Sequence, residues 1–451
     1  MPAEENGQST SQRHQKPSKW RQCSIVIAAF MLNFSGCGLL FCFGIFQSLY
    51  EDMSRKAGNP FTGASSAEIT LIGSIAASLM KLGAPYVVSW TKYFQPSVVV
   101  CTGGLLYGIA SILASFGTTL WHLQLTQGLL IGIATCLSFM PSMVVPPSWF
   151  GRHRALCMGI ISSGTGVGGL VWSPVLTACI GEFGYQNTLR LTGCICTVLI
   201  CISGCTLTWE PRMAASLQVA NTQPSWATGL FKVPLPPRNL VLTRKFLAQS
   251  INAFFQSAAY YTPIFYIAAF SKTLGYKDTD GANFTALSNA CNAIGKVGVG
   301  FIADRIGRLD SFFLTTLLSC TSTAGLWVSS TVLGSSDVEL GRALFITFTV
   351  VYGLFASAYI GLFSPALVEL FGISEMPHIT GIMYMLQGAA GLMGTPLAGF
   401  LVTESTSPGS YLYMAVLVGS FMFISTVSVQ WARIELMVER AGGKWQWTWG
   451  L

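Results

Sequence analysis

The chain has 451 residues, of which 51% are hydrophobic and only 10% are charged. Soluble domains carry about 25% charged residues, so this composition excludes a string of water-soluble domains and predicts a polytopic membrane protein. The net charge of +7 does not indicate nucleic-acid binding, because most basic residues stand singly at the ends of apolar runs and form no basic stripe with aromatic residues.

Along the chain, apolar stretches recur with the length of about 20 residues that a membrane-spanning helix needs. The first six predicted spans are 23–49, 66–90, 97–117, 121–147, 155–179 and 188–209. The other six predicted spans are 244–270, 281–303, 310–332, 342–369, 378–403 and 410–432. We therefore expect an all-α membrane protein with twelve transmembrane helices.

Polar segments divide these spans into two groups. Residues 1–22 predict a disordered cytosolic tail, and residues 23–209 predict an N-terminal six-helix bundle. The proline-containing interval 210–243 predicts a cytosolic linker to a C-terminal six-helix bundle over 244–432, followed by a second cytosolic tail over 433–451. Most Lys and Arg residues lie in segments on the side of the two termini, so the positive-inside rule places both termini in the cytosol.

The two predicted bundles share an internal repeat. Residues of the fifth span recur at one constant offset on the eleventh span: Gly159, Gly166, Gly169 and Pro174 correspond to Gly381, Gly388, Gly391 and Pro396. Glycines at these spacings let helices approach closely, and duplicated halves with a site between them are typical of alternating-access carriers. The repeat therefore predicts two pseudo-symmetric halves and a transporter. The spans contain no motif for catalysis, which favours a carrier over a membrane enzyme.

The segment between spans eight and nine reads GFIADRIGR and covers residues 300–308. It resembles the signature loop of the major facilitator superfamily. The carboxylate of Asp304 can accept bonds from nearby helix ends, while Arg305 and Arg308 can anchor at the inner interface. We expect these three residues to form a gate that holds one conformation closed; the alternative is a solvated turn.

Other segments resemble the monocarboxylate-porter branch of that superfamily, in particular its fungal members. These segments are WFGRHRALCMG, over residues 149–159, and GTPLAG, over residues 394–399. The resemblance implies a Lys on span one and an Asp and Arg pair on span eight, which hold a carboxylate and its coupled proton in animal members. Here those positions carry Phe41, Asn292 and Lys296, so the positive charge on span eight is present and the titratable carboxylate is not.

Two lysines fall deep inside predicted spans. Lys81 lies in the sequence LMKLG of span two, and Lys296 lies in IGKVG of span eight. A cation at such depth costs at least about 2.5–3.5 kcal/mol, so it normally faces a cavity or a partner; snorkelling to the interface is the alternative. No acidic residue is predicted at matching depth. A cavity with two such cations favours an organic anion as substrate.

Four further side chains are candidates for the same pathway. Phe41, Tyr261, Asn292 and Gln387 could contact the substrate, although residues of these types more often serve inter-helix packing and hydrogen bonding. The sequon at Asn283 is predicted to lie outside, close to the bilayer, as a glycosylation candidate.

The sequence thus predicts a secondary transporter that moves a small organic anion by alternating access. Two alternatives stay open: an efflux carrier for a bulkier fungal secondary metabolite, and a non-transporting membrane receptor. We expect no catalytic residues, no metal and no cofactor. Coupling to protons, carried by one of the two lysines, and uncoupled or exchange transport are both open. The expected partners are the small-molecule anion and the lipid bilayer, with no nucleic acid, and the expected location is the plasma membrane.

Overall fold

The computed structural model describes residues 18–151, 153–220, 237–373, 375–402 and 407–442. None of these residues lies in a β-strand, and they form membrane-length helical segments that we number α1 to α12. Helices α1 to α4 are Lys19–Ser54, Ser66–Leu82 with Ala84–Tyr93, Pro96–Ser115 and Leu120–Ser148. Helices α5 and α6 are the two parts of Arg154–Thr206. Helices α7 to α12 are Arg244–Thr273, Asp278–Ile306, Arg308–Leu333, Val338–Phe371, Met376–Phe400 and Pro408–Arg440.

The apolarity of these helices supports a membrane protein. Among the described residues, 7 helices are long and apolar enough to cross a bilayer, and the two parts of α2, bent by 44°, raise the number to 8. One of the seven is Arg154–Thr206, whose 53 residues contain two spans. Helices α7, α8 and α11 do not reach this apolarity. The all-α class with twelve transmembrane helices is confirmed.

The junction of α5 and α6 differs from the prediction of a loop over residues 180–187. The helical conformation continues through this segment and is broken only at Gly184, which has φ 76° and ψ 164°. A positive φ is unfavourable for a residue with a Cβ atom, so a single glycine makes the reversal that we assigned to a longer loop. The two spans therefore meet in a tight turn.

The predicted linker and tails are described only in part. Helices Pro211–Ala220 and Arg238–Val241 occupy the two ends of the interval 210–243, and its remaining residues, 221–236, lie outside the described residues. Helix α1 begins at Lys19, within the predicted N-terminal tail, and α12 continues to Arg440, beyond the predicted end at residue 432. The extension of α12 is explained by Arg433, which is buried against α9.

The N-terminal half (α1–α6) meets the C-terminal half (α7–α12) mainly where α2 packs on α11 and α5 packs on α8, and α10 also contacts α5. The repeated glycines lie at these contacts. A Cβ atom at Gly159 of α5 would lie 2.4 Å from the carbonyl oxygen of Lys296 on α8, and one at Gly388 of α11 would lie 2.5 Å from the amide nitrogen of Leu82 on α2. Glycine thus lets the two halves approach at backbone distance.

A glycine pair on α8 provides a test of this packing. A Cβ atom at Gly295 would lie 1.9 Å from the carbonyl oxygen of Leu354, whereas one at Gly298 would meet nothing within 4 Å. We expect Gly295→Ala to destabilise the protein by about 1–3 kcal/mol, because backbone must shift, and Gly298→Ala to leave it unchanged or slightly more stable. Thermal unfolding in detergent measures both, and equal unfolding temperatures would contradict the packing.

Candidate functional site

Lys81 reaches from α2 of the N-terminal half to α7 of the C-terminal half. Its side chain is buried, with 2% of its surface exposed. The ammonium nitrogen lies 5.2 Å from the ring centroid of Tyr261. An aromatic face attracts a cation through its quadrupole, and this attraction is worth about 2 kcal/mol when the pair is removed from water. The described structure therefore gives Lys81 an aromatic neighbour and no route to the lipid headgroups.

Lys296 reaches in the opposite direction, from α8 to the N-terminal half, and is 1% exposed. Its ammonium donates hydrogen bonds to the carbonyl oxygen of Ser162, at 3.1 Å, and to the hydroxyl oxygen of Thr165. The same nitrogen lies 5.8 Å from the ring centroid of Phe41 on α1. All of these contacts are on the other half of the molecule, so Lys296 links the halves.

The two lysines belong to one site, because their aromatic neighbours touch. The ring centroids of Phe41 and Tyr261 are 6.2 Å apart. Each ammonium group lies over one ring of this pair, that of Lys81 over Tyr261 and that of Lys296 over Phe41. None of the ion pairs formed by the described residues includes Lys81 or Lys296. The described part of the chain thus brings together two buried cations without a carboxylate to neutralise them.

The other predicted site residues lie around this centre at different distances. The Asn292 amide donates a 3.4 Å bond to the hydroxyl of Tyr260, whose ring is 5.1 Å from that of Tyr261, centroid to centroid. Gln387 donates a 2.8 Å bond from its amide to the hydroxyl of Tyr359 and accepts one at its backbone carbonyl from Ser257. Gln387 therefore belongs to the packing of the C-terminal half, and none of the hydrogen bonds among the described residues joins it to either lysine.

Several buried polar atoms near the lysines have no hydrogen-bond partner among the described residues. They are the hydroxyl oxygens of Tyr261 and Ser78, the side-chain oxygen of Asn292 and the side-chain nitrogen of Asn289. Leaving such a group unpaired costs about 1–3 kcal/mol, so buried polar groups normally bind protein, water or a ligand. These atoms give the site hydrogen-bonding capacity beyond its two ammonium groups.

We call the end of the bundle that carries Lys19 and Arg440 its inner end. Asp304 joins the two halves at this end. Its carboxylate accepts bonds from the backbone amides of Ala155, at 3.2 Å, and Leu156, at 2.8 Å. These amides belong to the first turn of α5, where unpaired N–H groups and the helix dipole favour a negative charge. The C-terminal half thus caps a helix of the N-terminal half.

The two arginines of the loop behave differently. Arg308 donates to Asp304, at 3.4 Å, and to the carbonyl oxygen of Gly151 in the N-terminal half, at 3.0 Å. Arg305 is exposed, and its guanidinium carbon lies 4.1 Å from the ring centroid of Phe301 on the same helix. Asp304 and Arg308 therefore connect the halves, whereas Arg305 lies outside that cluster.

The sequence did not predict the buried ion pair between Asp310 and Arg433, because Arg433 falls in the predicted cytosolic tail. The guanidinium of Arg433 on α12 bonds the carboxylate of Asp310 on α9, and the two side chains are 0% and 8% exposed. The arginine also faces the ring of Phe313, at 5.9 Å from the centroid. The sequence signal was an Asp and an Arg near the inner ends of two apolar spans.

Separating this ion pair should destabilise the protein. We expect Arg433→Met or Asp310→Leu alone to cost about 3–5 kcal/mol, because each removes one member of a buried charge pair, and the double variant to recover most of the loss. A double-mutant cycle from thermal unfolding in detergent measures the coupling. Additive losses in the double variant would show that the pair does not act as a unit.

The predicted glycosylation residue, Asn283, lies in the second turn of α8 and is exposed. It stands at the end of the bundle opposite to the Asp304 cluster, since α8 begins at Asp278 and ends at Ile306. A helical position close to the bilayer constrains access to the amide, and its modification stays a prediction.

Comparison with known proteins agrees with this architecture. The chain is 26% identical to the agnestins efflux protein AgnL12 of Paecilomyces divaricatus. The alignment covers 92% of this chain and 88% of that protein. The chain is also 26% identical to monocarboxylate transporter 11 of Homo sapiens, in an alignment that covers 89% of this chain and 82% of that protein. The solved human organic anion transporter MFSD10 (TETRAN) has the same fold, with a TM-score of 0.61, 16% identity and coverage of 90% of this chain and 99% of that one.

The family profile described as Major Facilitator Superfamily matches residues 25–337, most of the chain. This region contains most of α1, all of α2 to α9, both buried lysines and the 300–308 loop, whose Asp304 joins the two halves. The match confirms the resemblance and the prediction of a membrane transporter rather than an enzyme. Since this profile matches more than two thirds of the chain, and the described residues form an all-helical fold, the chain belongs to the Major Facilitator Superfamily.

Proposed function

We propose that the protein is a secondary transporter that binds a small organic anion between its halves and exposes it alternately to the two sides of the membrane. The observation that carries this proposal is the pair of buried ammonium groups, Lys81 and Lys296, which no carboxylate of the described residues neutralises. Burying an isolated charge in a low-dielectric interior is unfavourable in free energy, and a bound anion offsets this unfavourable term.

Alternating access is supported by the position of the contacts. Each lysine touches the half to which it does not belong, and Asp304 and Arg308 join the halves at the inner end. A substrate held by both lysines therefore draws the halves together at the centre. Opening the inner end requires Asp304 to leave the first turn of α5, so the two events can be coupled through one movement of the halves.

A larger and more aromatic substrate than a simple monocarboxylate is the second candidate, with efflux as its direction. Three rings, those of Phe41, Tyr260 and Tyr261, contact one another beside the lysines. Aromatic faces pack well on flat, conjugated molecules. The similarity to a relative named as an efflux protein supports this direction, while the similarity to proteins named monocarboxylate transporters supports an acid as the substrate.

Proton coupling through a carboxylate on α8 does not fit, because Asn292 occupies the position that the family resemblance assigns to it. We propose that either a lysine of the site carries the proton or transport proceeds by exchange. We further propose that the protein lies in the plasma membrane with both termini in the cytosol, which follows from the distribution of Lys and Arg.

Flux measurements with purified protein in proteoliposomes test the proposal. Labelled benzoate and pyruvate should enter faster than their neutral amides, and a pH gradient should raise acid uptake only if protons are coupled. Protein-free liposomes give the background for permeation. Equal flux of acid and amide would overturn the anion assignment. Binding of the acids without flux would favour the alternative of a membrane receptor.

A further inference from the structure

The two lysine contacts follow the same pattern in the two halves. Lys81 stands on the second helix of its half and lies over a ring on α7, the first helix of the other half. Lys296 stands on α8, the second helix of its half, and lies over a ring on α1, the first helix of the other. Repeats related by an axis along the membrane normal place corresponding helices on opposite sides of that axis.

Each ammonium also has polar neighbours of its own. Near Lys81, the side chains of Tyr261 and Ser78 both approach Gly391, at 3.9 and 3.6 Å from an ideal Cβ, and neither hydroxyl group has a hydrogen-bond partner in the described part of the chain. Lys296 has Thr165, with the unpaired Asn292 oxygen one helical turn earlier on α8. The centre therefore contains two half-sites, each with one cation and hydrogen-bonding groups.

An apolar surface connects the half-sites. The rings of Phe41 and Tyr261, each beneath one ammonium, are in contact with a centroid separation of 6.2 Å. A ligand with one negative charge would neutralise one lysine and leave the other as a buried charge without a counter-ion. A ligand with two separated negative charges would neutralise both.

We propose, on the basis of the function proposed above, that the substrate is a divalent organic anion with two acidic groups joined by an apolar or aromatic spacer. One acidic group binds Lys81, the other binds Lys296, and the spacer lies along the rings of Phe41 and Tyr261. The acidic groups can be carboxylates or ionised phenols or enols, since all place charge on oxygen. Pairing one charge with each half also makes closure of the centre depend on both groups.

A matched pair of ligands distinguishes the effect of the second charge on affinity from the effect of molecular shape. The probes are 1,4-phenylenediacetate and its monoamide, which has nearly the same shape and one charge fewer; alkane diacids of increasing length and their monoamides vary the spacing. Binding is measured by thermal stabilisation and flux in proteoliposomes. The intact protein should bind the best diacid at least about 30-fold more tightly than its monoamide, the difference expected for one buried charge pair.

Single lysine variants should remove this preference. In Lys81→Gln or Lys296→Gln the ratio of diacid to monoamide affinity should fall to about 1, whereas the charge-retaining Lys81→Arg and Lys296→Arg should keep a ratio well above that. Lys56→Gln, at an exposed surface position, is the matched control and should keep the full ratio. The unfolding temperature of each variant, compared with that of the unmodified protein, shows whether the variant is folded.

The outcomes distinguish the two proposals. Lysine-dependent binding and flux of monoacids, with no gain from a second charge at any spacing, would overturn the divalent substrate and leave anion transport in place. A full ratio that persists in both Gln variants would likewise overturn it. Absence of binding and flux for diacids and monoacids alike would overturn both proposals.

Discussion

Replacing either central lysine by glutamine should reduce anion transport by at least about 100-fold in kcat/KM. Lys81 and Lys296 are 2% and 1% exposed, so an acid that binds them is shielded from water and depends on their charge. Truncating one partner of a buried, hydrogen-bonded charge pair costs about 2–5 kcal/mol, and this is the loss we expect for the bound anion. Initial rates of labelled 1,4-phenylenediacetate uptake into proteoliposomes measure the effect, because this diacid carries one charge for each lysine.

The control for this experiment is Lys56→Gln, which makes the same change at an exposed position and should leave the rate unchanged. The Gln variants should still fold, because a neutral side chain removes the cost of burying an uncompensated cation. Their unfolding temperatures should therefore equal or exceed that of the unmodified protein. Unchanged affinity for the acid in both lysine variants would show that the substrate binds elsewhere.

Replacing Asp304 by asparagine should open the inner end of the bundle. The carboxylate caps α5 through the amides of Ala155 and Leu156 and also bonds Arg308. Hydrogen bonds to a charged group contribute about 1.5–3 kcal/mol each, so loss of the charge should raise the population of the open form at least about 10-fold. Transport should slow, because the form closed at the inner end becomes rare.

Cys157, the residue after Leu156, reports the opening. Its side chain is half-buried in the closed structure, and it should react faster with a membrane-impermeant maleimide in inside-out vesicles of Asp304→Asn. Mass spectrometry of the labelled peptides separates Cys157 from the other cysteines. Glu339→Gln, which removes an exposed carboxylate paired with Arg342 at the other end of the bundle, is the control. Unchanged labelling and flux would mean that the loop is a solvated turn.

The spans could be predicted from the sequence because the bilayer imposes a length on each helix and an apolarity that most of the helices, although not α7, α8 and α11, satisfy by themselves. The same holds for the residues of the 300–308 loop and for the depth of Lys81 and Lys296, since depth follows from position along a span. The repeated glycines indicated close helix contacts, and in the structure Gly159 and Gly388 lie at the junction of the halves.

The partners of these residues could not be predicted, because they depend on how each helix is rotated about its axis and which helix lies beside it. For this reason the crossed contacts of Lys81 with Tyr261 and of Lys296 with Thr165 became known only from the packed helices. The same packing separates Arg305 from Asp304 and Arg308, and it buries Arg433, which sequence reasoning had placed in a tail. Local hydrophobicity determines where the helices lie along the chain, whereas contacts between segments distant in sequence determine which residues meet at the candidate site.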